Sequence, residues 1–235
     1  MSAVYQLKNT NLNPQHLQRV KKNILKYSPY PEKVQIIVVT KAFSFKAIKS
    51  AEEQTLFHVG ESKIQETQQK IKNNQLNAQT KIHLIGHLQT NKVKKAVQIY
   101  NVIQSVDSIK LLLKINTEAE RNNKKQKIFL QTKLADSKTK TGLSKQETLL
   151  LAEKTQKLKN IHLCGVMSIG PNTKKKNETQ RHFIEIKEIQ KKIQQTIEPT
   201  CKFLSLGMSQ DYQIALQIGA THIRLGTVLF ENRYE

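Results

Sequence analysis

The chain has 235 residues, with two cysteines, no tryptophan and no long apolar segment. Cys164 and Cys201 form neither a Cys-x-x-Cys pair nor a Cys/His cluster, which excludes a disulfide scaffold and argues against a structural zinc site. Free thiols are typical of reducing compartments, so we expect a cytoplasmic protein. The apolar runs, such as residues 36–39, are far shorter than the ~18 residues that span a bilayer. Residues 1–20 lack the apolar core of a signal peptide, and we expect no membrane contact.

Acidic residues and arginines are also scarce. The chain has 39 Lys and Arg residues against 18 Asp and Glu, a net charge of +21, but only five of the basic residues are arginine. Nucleic-acid interfaces favour arginine for base contacts and use aromatic side chains as stacking platforms. Because neither pattern occurs, we interpret the lysines as solvated helix faces and expect no specific nucleic-acid partner. The alternative, a basic nucleic-acid binder, predicts binding that weakens steeply with salt.

Short β-branched runs alternate with longer amphipathic stretches, which predicts parallel strands joined by helices. Eight such units in a chain of this length predict one α/β domain over residues 1–235, a closed (β/α)8 TIM barrel. An extra helix at residues 16–27, preceded by Pro14, comes before the first strand. The predicted strands span residues 34–40, 56–59, 81–85, 102–106, 128–134, 162–169, 203–206 and 222–225.

Capping signals and polar segments predict helix starts and loops. Ser62 with Gln65, and Ser144 with Glu147, have the spacing of capping boxes. The polar segments 116–127 and 171–177 are predicted to be exposed loops.

A TIM barrel carries its site at the carboxyl ends of the strands, and phosphate often binds after strands seven and eight. Gly207 and Gly226 follow those strands and allow a close approach of the backbone to an anion. Ser209 is expected to open the next helix, whose first N–H groups and dipole favour an anion. Thr227 adds a hydroxyl, and Arg224 adds one of the few guanidinium groups. Together they predict a phosphate site.

Lys41 directly follows the apolar first strand. Desolvation at a strand end lowers the pKa of a lysine, and the neutral amine can then form a Schiff base with an aldehyde. A lysine and a phosphate site in one barrel mouth suggest two ligands: pyridoxal 5′-phosphate (PLP), or a sugar phosphate as in Schiff-base aldolases.

Several sequence blocks resemble the pyridoxal phosphate homeostasis proteins (the YggS/PROSC type). The most specific are Gly-His-Leu-Gln-Thr-Asn-Lys at 86–92 and Leu-Gly-Met-Ser at 206–209. The blocks keep the family order and cover most of the chain after residue 33. Two positions depart from the usual pattern, because Ser62 replaces an asparagine and Thr141 replaces a serine. The matching blocks are residues 39–41, 57–62 with 65–66, 83–92, 138–143, 165–167, 205–211, and 224–227 with Phe230.

The resemblance implies a fold-type III PLP-binding barrel, similar to the barrel domain of alanine racemase. It implies that Lys41 holds PLP as a Schiff base and that Arg224 lies near the pyridine nitrogen. An arginine there keeps the nitrogen unprotonated and weakens the ring as an electron sink, so little carbanion chemistry is expected. The implied PLP-binding residues are Lys41, Met167, Ser209, Arg224, Gly226 and Thr227.

The function implied is vitamin B6 homeostasis: a non-catalytic PLP carrier that buffers or delivers the aldehyde, with transient contacts to PLP-dependent apo-enzymes. We expect a monomer, because no exposed apolar helix face is evident. The alternative is a PLP-dependent enzyme with weak amino-acid racemase activity. A racemase needs a second acid/base on the opposite face of the ring. His87 is the candidate, although a turn histidine is more often structural. The chain also ends soon after strand eight, which leaves no room for the second domain of alanine racemase.

Overall fold

A computed structural model describes residues 7–8, 10–134 and 141–230. Within these ranges, the initial helix is followed by eight strands that alternate with seven further α-helices. The strands are β1 Gln35–Val39, β2 His58–Glu61, β3 Lys81–Leu84, β4 Val102–Val106, β5 Gln126–Gln131, β6 Ile161–Met167, β7 Phe203–Ser205 and β8 His222–Leu225. The helices are α1 Pro14–Tyr27, α2 Phe45–Glu53, α3 Ile64–Ile71, α4 Val93–Ile99, α5 Ile109–Arg121, α6 Lys145–Thr155, α7 Lys176–Thr196 and α8 Tyr212–Ile218.

All eight strands are parallel, and they close into a barrel in chain order. The closure pairs β8 with β1, with Ile37 opposite Arg224 and Val38 opposite Leu225. The predicted (β/α)8 barrel and its additional N-terminal helix are therefore confirmed. The carboxyl ends of the strands form one end of the barrel, which we call the mouth.

The two faces of the strands differ in chemistry. Outward residues such as Ile36, Val38 and Ile82 join the core between the sheet and its helices. The inner face carries polar groups, because Ser205 on β7 donates a hydrogen bond of 2.7 Å to Gln104 on β4. Strands β4 and β7 are not neighbours in the closed sheet, so this bond crosses the barrel interior. Burial of a polar interior requires complete hydrogen bonding, which constrains the side chains there.

Helix α1 packs against α8, the last helix of the barrel. It begins at Pro14, two residues before the predicted start, because the side chain of Asn13 accepts hydrogen bonds from the N–H groups of Gln15 and His16. Its apolar face is buried, and the side chain of Asn23 donates to the Tyr212 hydroxyl at 2.6 Å. The buried residues of this face are Leu17, Val20 and Ile24.

Two local predictions are wrong. Residues 116–127 are not a loop, because α5 continues to Arg121 and β5 begins at Gln126. The prediction treated the polar residues of this segment as an exposed loop. In the structure Glu118 is buried and pairs with Lys114 and Arg121 on the helix. The capping box at Ser62 is also absent, because Lys63 occupies the N-cap of α3 and makes no side-chain cap bond.

The other two local predictions hold. Ser144 and Glu147 form a complete capping box at the start of α6. The predicted loop at 171–177 is correct up to the first residue of α7, Lys176.

Gly207 is required by packing as well as by backbone conformation. Its φ is +85°, and a Cβ there would lie 2.7 Å from the Ala215 Cβ and 2.8 Å from the Tyr212 Cα. We expect Gly207→Ala to lower the free energy of unfolding by about 2–4 kcal/mol, the sum of a backbone cost and overpacking. Gly219 has φ +95°, and a Cβ there would make only ordinary van der Waals contacts, 3.5 Å from Lys187 Nζ and 3.8 Å from Pro29 Cγ, so Gly219→Ala should cost only about 1 kcal/mol. Urea denaturation of both variants tests this, and equal losses would contradict the packing argument.

Candidate functional site

Lys41 lies at the mouth, in a tight turn directly after β1. The Thr40 carbonyl accepts the Phe43 N–H at 3.1 Å, and Ala42 has φ +67°, the left-handed conformation that favours glycine. The lysine is exposed. The expectation that this amine is desolvated at the strand end stays a prediction.

Ser209 joins the loops that follow β7 and β8. Its hydroxyl accepts hydrogen bonds from the N–H groups of Gly226 at 3.4 Å and Val228 at 3.3 Å. Both distances exceed the usual 2.9–3.0 Å, so these donors are weakly satisfied. Thr227 lies between them and is exposed. The structure thus brings Ser209, Gly226 and Thr227 together, as expected for a small anion-binding loop.

The start of α8 differs from the prediction. Ser209 does not open the helix, because α8 begins at Tyr212 with Asp211 as its N-cap. The Asp211 carboxylate accepts the Met208 N–H at 2.6 Å instead of capping the helix. Burial raises the pKa of Asp211, and the hydrogen bond from Met208 and the charge of Arg224 oppose that shift. The anion donors near Ser209 therefore come from the two loops rather than from the helix.

Arg224 is buried on the inner face of β8. Its guanidinium donates to the carbonyl and hydroxyl of Ser205, each at 2.8 Å, and to the Ser168 carbonyl at 2.8 Å. Burial lowers its pKa to about 10, and Asp211 opposes that shift. The group remains a cation at neutral pH, held in a fixed orientation below the mouth.

A chain of hydrogen bonds leads from Arg224 across the barrel. Ser205 accepts from the arginine and donates to the side-chain carbonyl of Gln104. The Gln104 amide lies 2.9 Å from His83 Nδ1, and His83 Nε2 lies 2.9 Å from His58 Nδ1. The amide donates to Nδ1, so the proton of His83 sits on Nε2 and points to His58. Both histidines are therefore held neutral, and the sequence alone did not reveal this network.

Met167 lies at the end of β6, and His87 lies in the segment that follows β3. Met167 is buried at the end of β6 in a small apolar cluster inside the barrel, beside Phe129 and Cys164. Both cysteines are buried and free, as expected. His87 is half exposed after β3, and its Nδ1 lies 3.3 Å from Asp107, which follows β4.

Part of one family block lies outside the described residues, namely Lys138, Thr139 and Lys140. The rest of that block is placed. Gly142 has φ +125°, and Thr141 accepts a hydrogen bond of 3.3 Å from Gln131 through its hydroxyl.

Buried neutral histidines predict a loss of stability in mild acid. Burial lowers the pKa of His182 to about 4 and that of His222 to about 3, and it places the pKa of His83 well below 6.5. Ser168 donates to Thr132, so His182 Nε2 is the donor to Ser168, and the lowered pKa keeps the ring neutral at pH 7. In the unfolded chain these histidines bind protons below about pH 6.5, whereas in the folded chain they stay neutral at that pH. The contribution of each histidine to the free energy of unfolding is complete above pH 6.5. It is lost as the pH falls toward the pKa of that histidine in the folded chain.

Between pH 8 and pH 5.5, His182 and His222 should each remove about 1.4 kcal/mol from the free energy of unfolding. The raised pKa values of Asp211 and Glu61 act in the opposite direction, and a comparison with His182→Gln cancels their contribution because both carboxyl groups are present in both chains. Urea titrations at both pH values measure the change. His182→Gln keeps a donor to Ser168 and should show about 1.4 kcal/mol less pH dependence. An unchanged pH dependence in this variant would contradict the assignment.

Comparison with known proteins shows the family of the chain. The family described as alanine racemase, N-terminal domain, matches residues 15–233. A pyridoxal phosphate homeostasis protein of Synechocystis is 36% identical over 203 residues, which is 86% of this chain and 93% of that protein. The chain belongs to the pyridoxal phosphate homeostasis protein family. The resemblance read from the sequence blocks is thereby confirmed.

Solved structures extend the comparison. PipY of Synechococcus elongatus PCC7942, solved with PLP bound, is 30% identical with a TM-score of 0.81, and the match covers 92% of this chain and 98% of PipY. An alanine racemase of Clostridium difficile 630 is 15% identical with a TM-score of 0.74. That match covers 96% of this chain and 59% of the racemase, and at this identity it shows only a shared fold.

Neither a metal-binding cluster nor a membrane-spanning helix occurs in residues 7–8, 10–134 and 141–230. These ranges contain no group of three or more His, Cys, Asp or Glu side chains that could hold a metal ion. None of the helices described is both long and apolar enough to cross a membrane.

Proposed function

We propose that this chain binds PLP at the barrel mouth through Lys41 and acts as a reversible carrier of that aldehyde. The observation that carries the proposal is the pairing of β8 with β1. It brings Arg224 and the loop that carries Gly226 beside β1, which ends two residues before Lys41. Ile37 lies opposite Arg224, so Lys41 lies at most about 13 Å nearer the mouth along the strand direction. A lysine side chain and one pyridine ring fit within that height.

The donor set matches the three reactive parts of PLP. The exposed amine of Lys41 suits the aldehyde. The loosely paired N–H groups of Gly226 and Val228, with the Ser209 and Thr227 hydroxyls, suit the phosphate dianion. The buried guanidinium of Arg224 suits an unprotonated pyridine nitrogen, which accepts a hydrogen bond. Met167 supports this fit as an apolar contact from inside the barrel.

The chemistry of binding is reversible. The lone pair of the Lys41 amine attacks the aldehyde carbon, a C=N bond forms and one water molecule leaves. Attack by another amine on the same carbon forms a new C=N bond and returns Lys41 as the free amine. Delivery to an apo-enzyme therefore requires no oxidant or reductant. The exposure of Lys41 supports this exchange, because an incoming amine can approach the site.

A non-catalytic role follows from Arg224. A cation hydrogen-bonded to Ser205 and Ser168 cannot accept a proton, so it cannot keep the pyridine nitrogen protonated. An unprotonated ring is a weak electron sink, and loss of an α-proton from a bound amino acid is disfavoured. The competing function, weak racemase activity, would use His87, whose Asp107 partner supports a role as a base.

Two assays separate these functions. The loaded protein is mixed with a PLP-dependent apo-enzyme, and recovery of that enzyme's activity measures transfer. Separately, α-deuterated alanine is incubated with the loaded protein, and loss of deuterium to solvent is followed by mass spectrometry. The carrier predicts transfer without enzyme-like loss of deuterium. Turnover at ordinary enzyme rates, on the order of 1 per second or faster, would establish the racemase reading instead.

The remaining expectations are part of the same proposal. We propose one PLP-binding domain over residues 1–235, acting in the cytoplasm as a monomer. Its partners would be PLP and, transiently, PLP-dependent apo-enzymes, with no specific nucleic acid and no membrane. The dispersed exposed apolar residues support the monomer, since Leu25, Leu113 and Leu150 lie on three different helices.

A further inference from the structure

Three charged side chains are buried together behind the mouth. Lys70 on α3 pairs with Glu61 at the end of β2 at 2.7 Å and with Glu66 one helical turn away at 2.8 Å. The side chains of Lys70 and Glu61 are fully buried, and that of Glu66 is 5% exposed. We call Glu61, Glu66 and Lys70 the charged triad.

The charged triad holds the main chain on both sides of Lys41. Lys70 Nζ donates to the Thr40 carbonyl at 2.8 Å, and the Thr40 hydroxyl donates to Glu61 Oε1 at 2.6 Å. On the other side, Glu66 Oε1 accepts the Ala42 N–H at 2.5 Å. The residue before Lys41 and the residue after it are therefore each fixed by groups of the triad.

The turn around Lys41 needs such support. Ala42 has φ +67°, a conformation that is unfavourable for a residue with a Cβ, and it persists only when the surroundings impose it. Glu66 supplies the acceptor for the N–H that this conformation presents. With the main chain fixed at Thr40 and Ala42, the Cα–Cβ bond of Lys41 has one direction.

Stability alone does not explain the charged triad. Buried ion pairs are often no more stable than apolar residues of the same volume. Among the described residues, Glu61 Oε2 is buried without a hydrogen-bond partner. Burial also raises the pKa of Glu61, although Lys70 opposes the shift. The charged triad costs free energy to bury, and it contacts both neighbours of Lys41. This combination indicates that the triad has a role at Lys41.

We propose that the charged triad is a positioning device, which holds the Lys41 turn so that its amine reaches the ligand aldehyde. The inference rests on the proposed function, because it assumes that Lys41 is the residue that reacts. Glu61, Glu66 and Lys70 act through Lys41 and do not themselves contact the ligand.

The test compares two ligands that share a phosphate but differ in the aldehyde. PLP can react with Lys41, whereas pyridoxine 5′-phosphate carries an alcohol and cannot form a C=N bond. The ratio of their dissociation constants isolates the lysine contribution from phosphate binding. We expect Glu66→Ala to reduce the preference for PLP at least tenfold and to slow the rise of the visible absorbance band. Binding of pyridoxine 5′-phosphate should stay within about twofold of the wild-type chain.

Two variants separate positioning from general destabilisation. Glu52 is a matched control, because its buried carboxylate accepts the Asn77 N–H at 2.9 Å and the Thr80 hydroxyl at 2.7 Å, and Lys49 lies 3.6 Å away. We expect Glu52→Ala to lower the melting temperature and to leave the ligand preference unchanged. Glu66→Gln retains a carbonyl oxygen for the Ala42 N–H, so it should restore most of the preference.

The outcomes are distinct. An unchanged preference in Glu66→Ala, or an equal loss in Glu52→Ala, would overturn the positioning role. If Glu66→Ala does not fold, Thr40→Val replaces it, since it removes only the donor to Glu61 and nearly keeps the side-chain volume. A severalfold loss of preference in Thr40→Val supports the proposal, and no loss overturns it. If the wild-type chain itself forms no adduct on Lys41, the proposed function has failed, and the comparison of variants is not reached.

Discussion

Lys41→Ala is expected to abolish the covalent PLP adduct. The wild-type chain should develop a visible absorbance band with PLP, and borohydride should fix the ligand to the protein. The variant should show neither, because alanine has no amine at the end of β1. The phosphate donors at Ser209 and Gly226 remain, so weak non-covalent binding should persist. Absorbance spectroscopy with intact-protein mass spectrometry measures both properties.

The controls for this prediction come from the same part of the chain. Lys46 and Lys49 are exposed on α2, close in sequence to Lys41. Lys46→Ala and Lys49→Ala should retain the full band and one fixed ligand per chain. In a chain with so many lysines, an adduct that survives Lys41→Ala at full yield would mean that the reaction is unspecific. The Schiff-base assignment would then be wrong.

Arg224→Leu is expected to produce the largest loss of stability. The guanidinium satisfies two carbonyls and one hydroxyl inside the barrel, at Ser205 and Ser168. Its removal leaves the buried Ser168 carbonyl and Ser205 hydroxyl oxygen without this donor, although the Ser205 carbonyl still accepts the Ser168 N–H at 3.1 Å. It also breaks the hydrogen-bond chain that leads from Arg224 to His83. Removing one partner of a buried charged network typically costs about 3–5 kcal/mol. Urea denaturation at pH 7.5, above the histidine titrations, measures the change.

Arg121 provides the comparison for Arg224. It also makes a 2.9 Å hydrogen bond, to Glu118, but its side chain is 64% exposed at the end of α5. Exposed ion pairs contribute about 0–1 kcal/mol, so Arg121→Leu should change stability by no more than that. A loss below about 1 kcal/mol in Arg224→Leu would show that the interior network tolerates the missing cation.

The sequence was sufficient for the barrel, because the strands coincide with short β-branched or apolar runs that are bounded by turn residues. The bounds of β4 and β8 agree with the prediction to the residue. The loop residues of the site were also predictable, because the topology fixes which strand ends face the mouth. Ser209 and Gly226 belong to consecutive β/α units, and the structure places them in contact.

Other features depend on contacts between distant parts of the chain. Gln104 and Ser205 meet only because the sheet closes, and no local pattern in β4 or β7 indicates that bond. From the sequence alone, Lys70 is interpreted as a solvated lysine on a polar helix. In the structure it is buried and pairs with Glu61. The sequence offers one indication of the polar interior, namely polar residues within apolar strands, such as Gln104. These residues mark the strand positions that face into the barrel.

The most direct test of the account is to locate the ligand on the wild-type chain. The purified protein is loaded with PLP, reduced with borohydride, digested and mapped by peptide mass spectrometry. The account predicts a single modified peptide that contains Lys41, at close to one ligand per chain. Modification spread over surface lysines, with Lys41 unlabelled, would contradict it and would direct attention to sugar phosphates as the ligand.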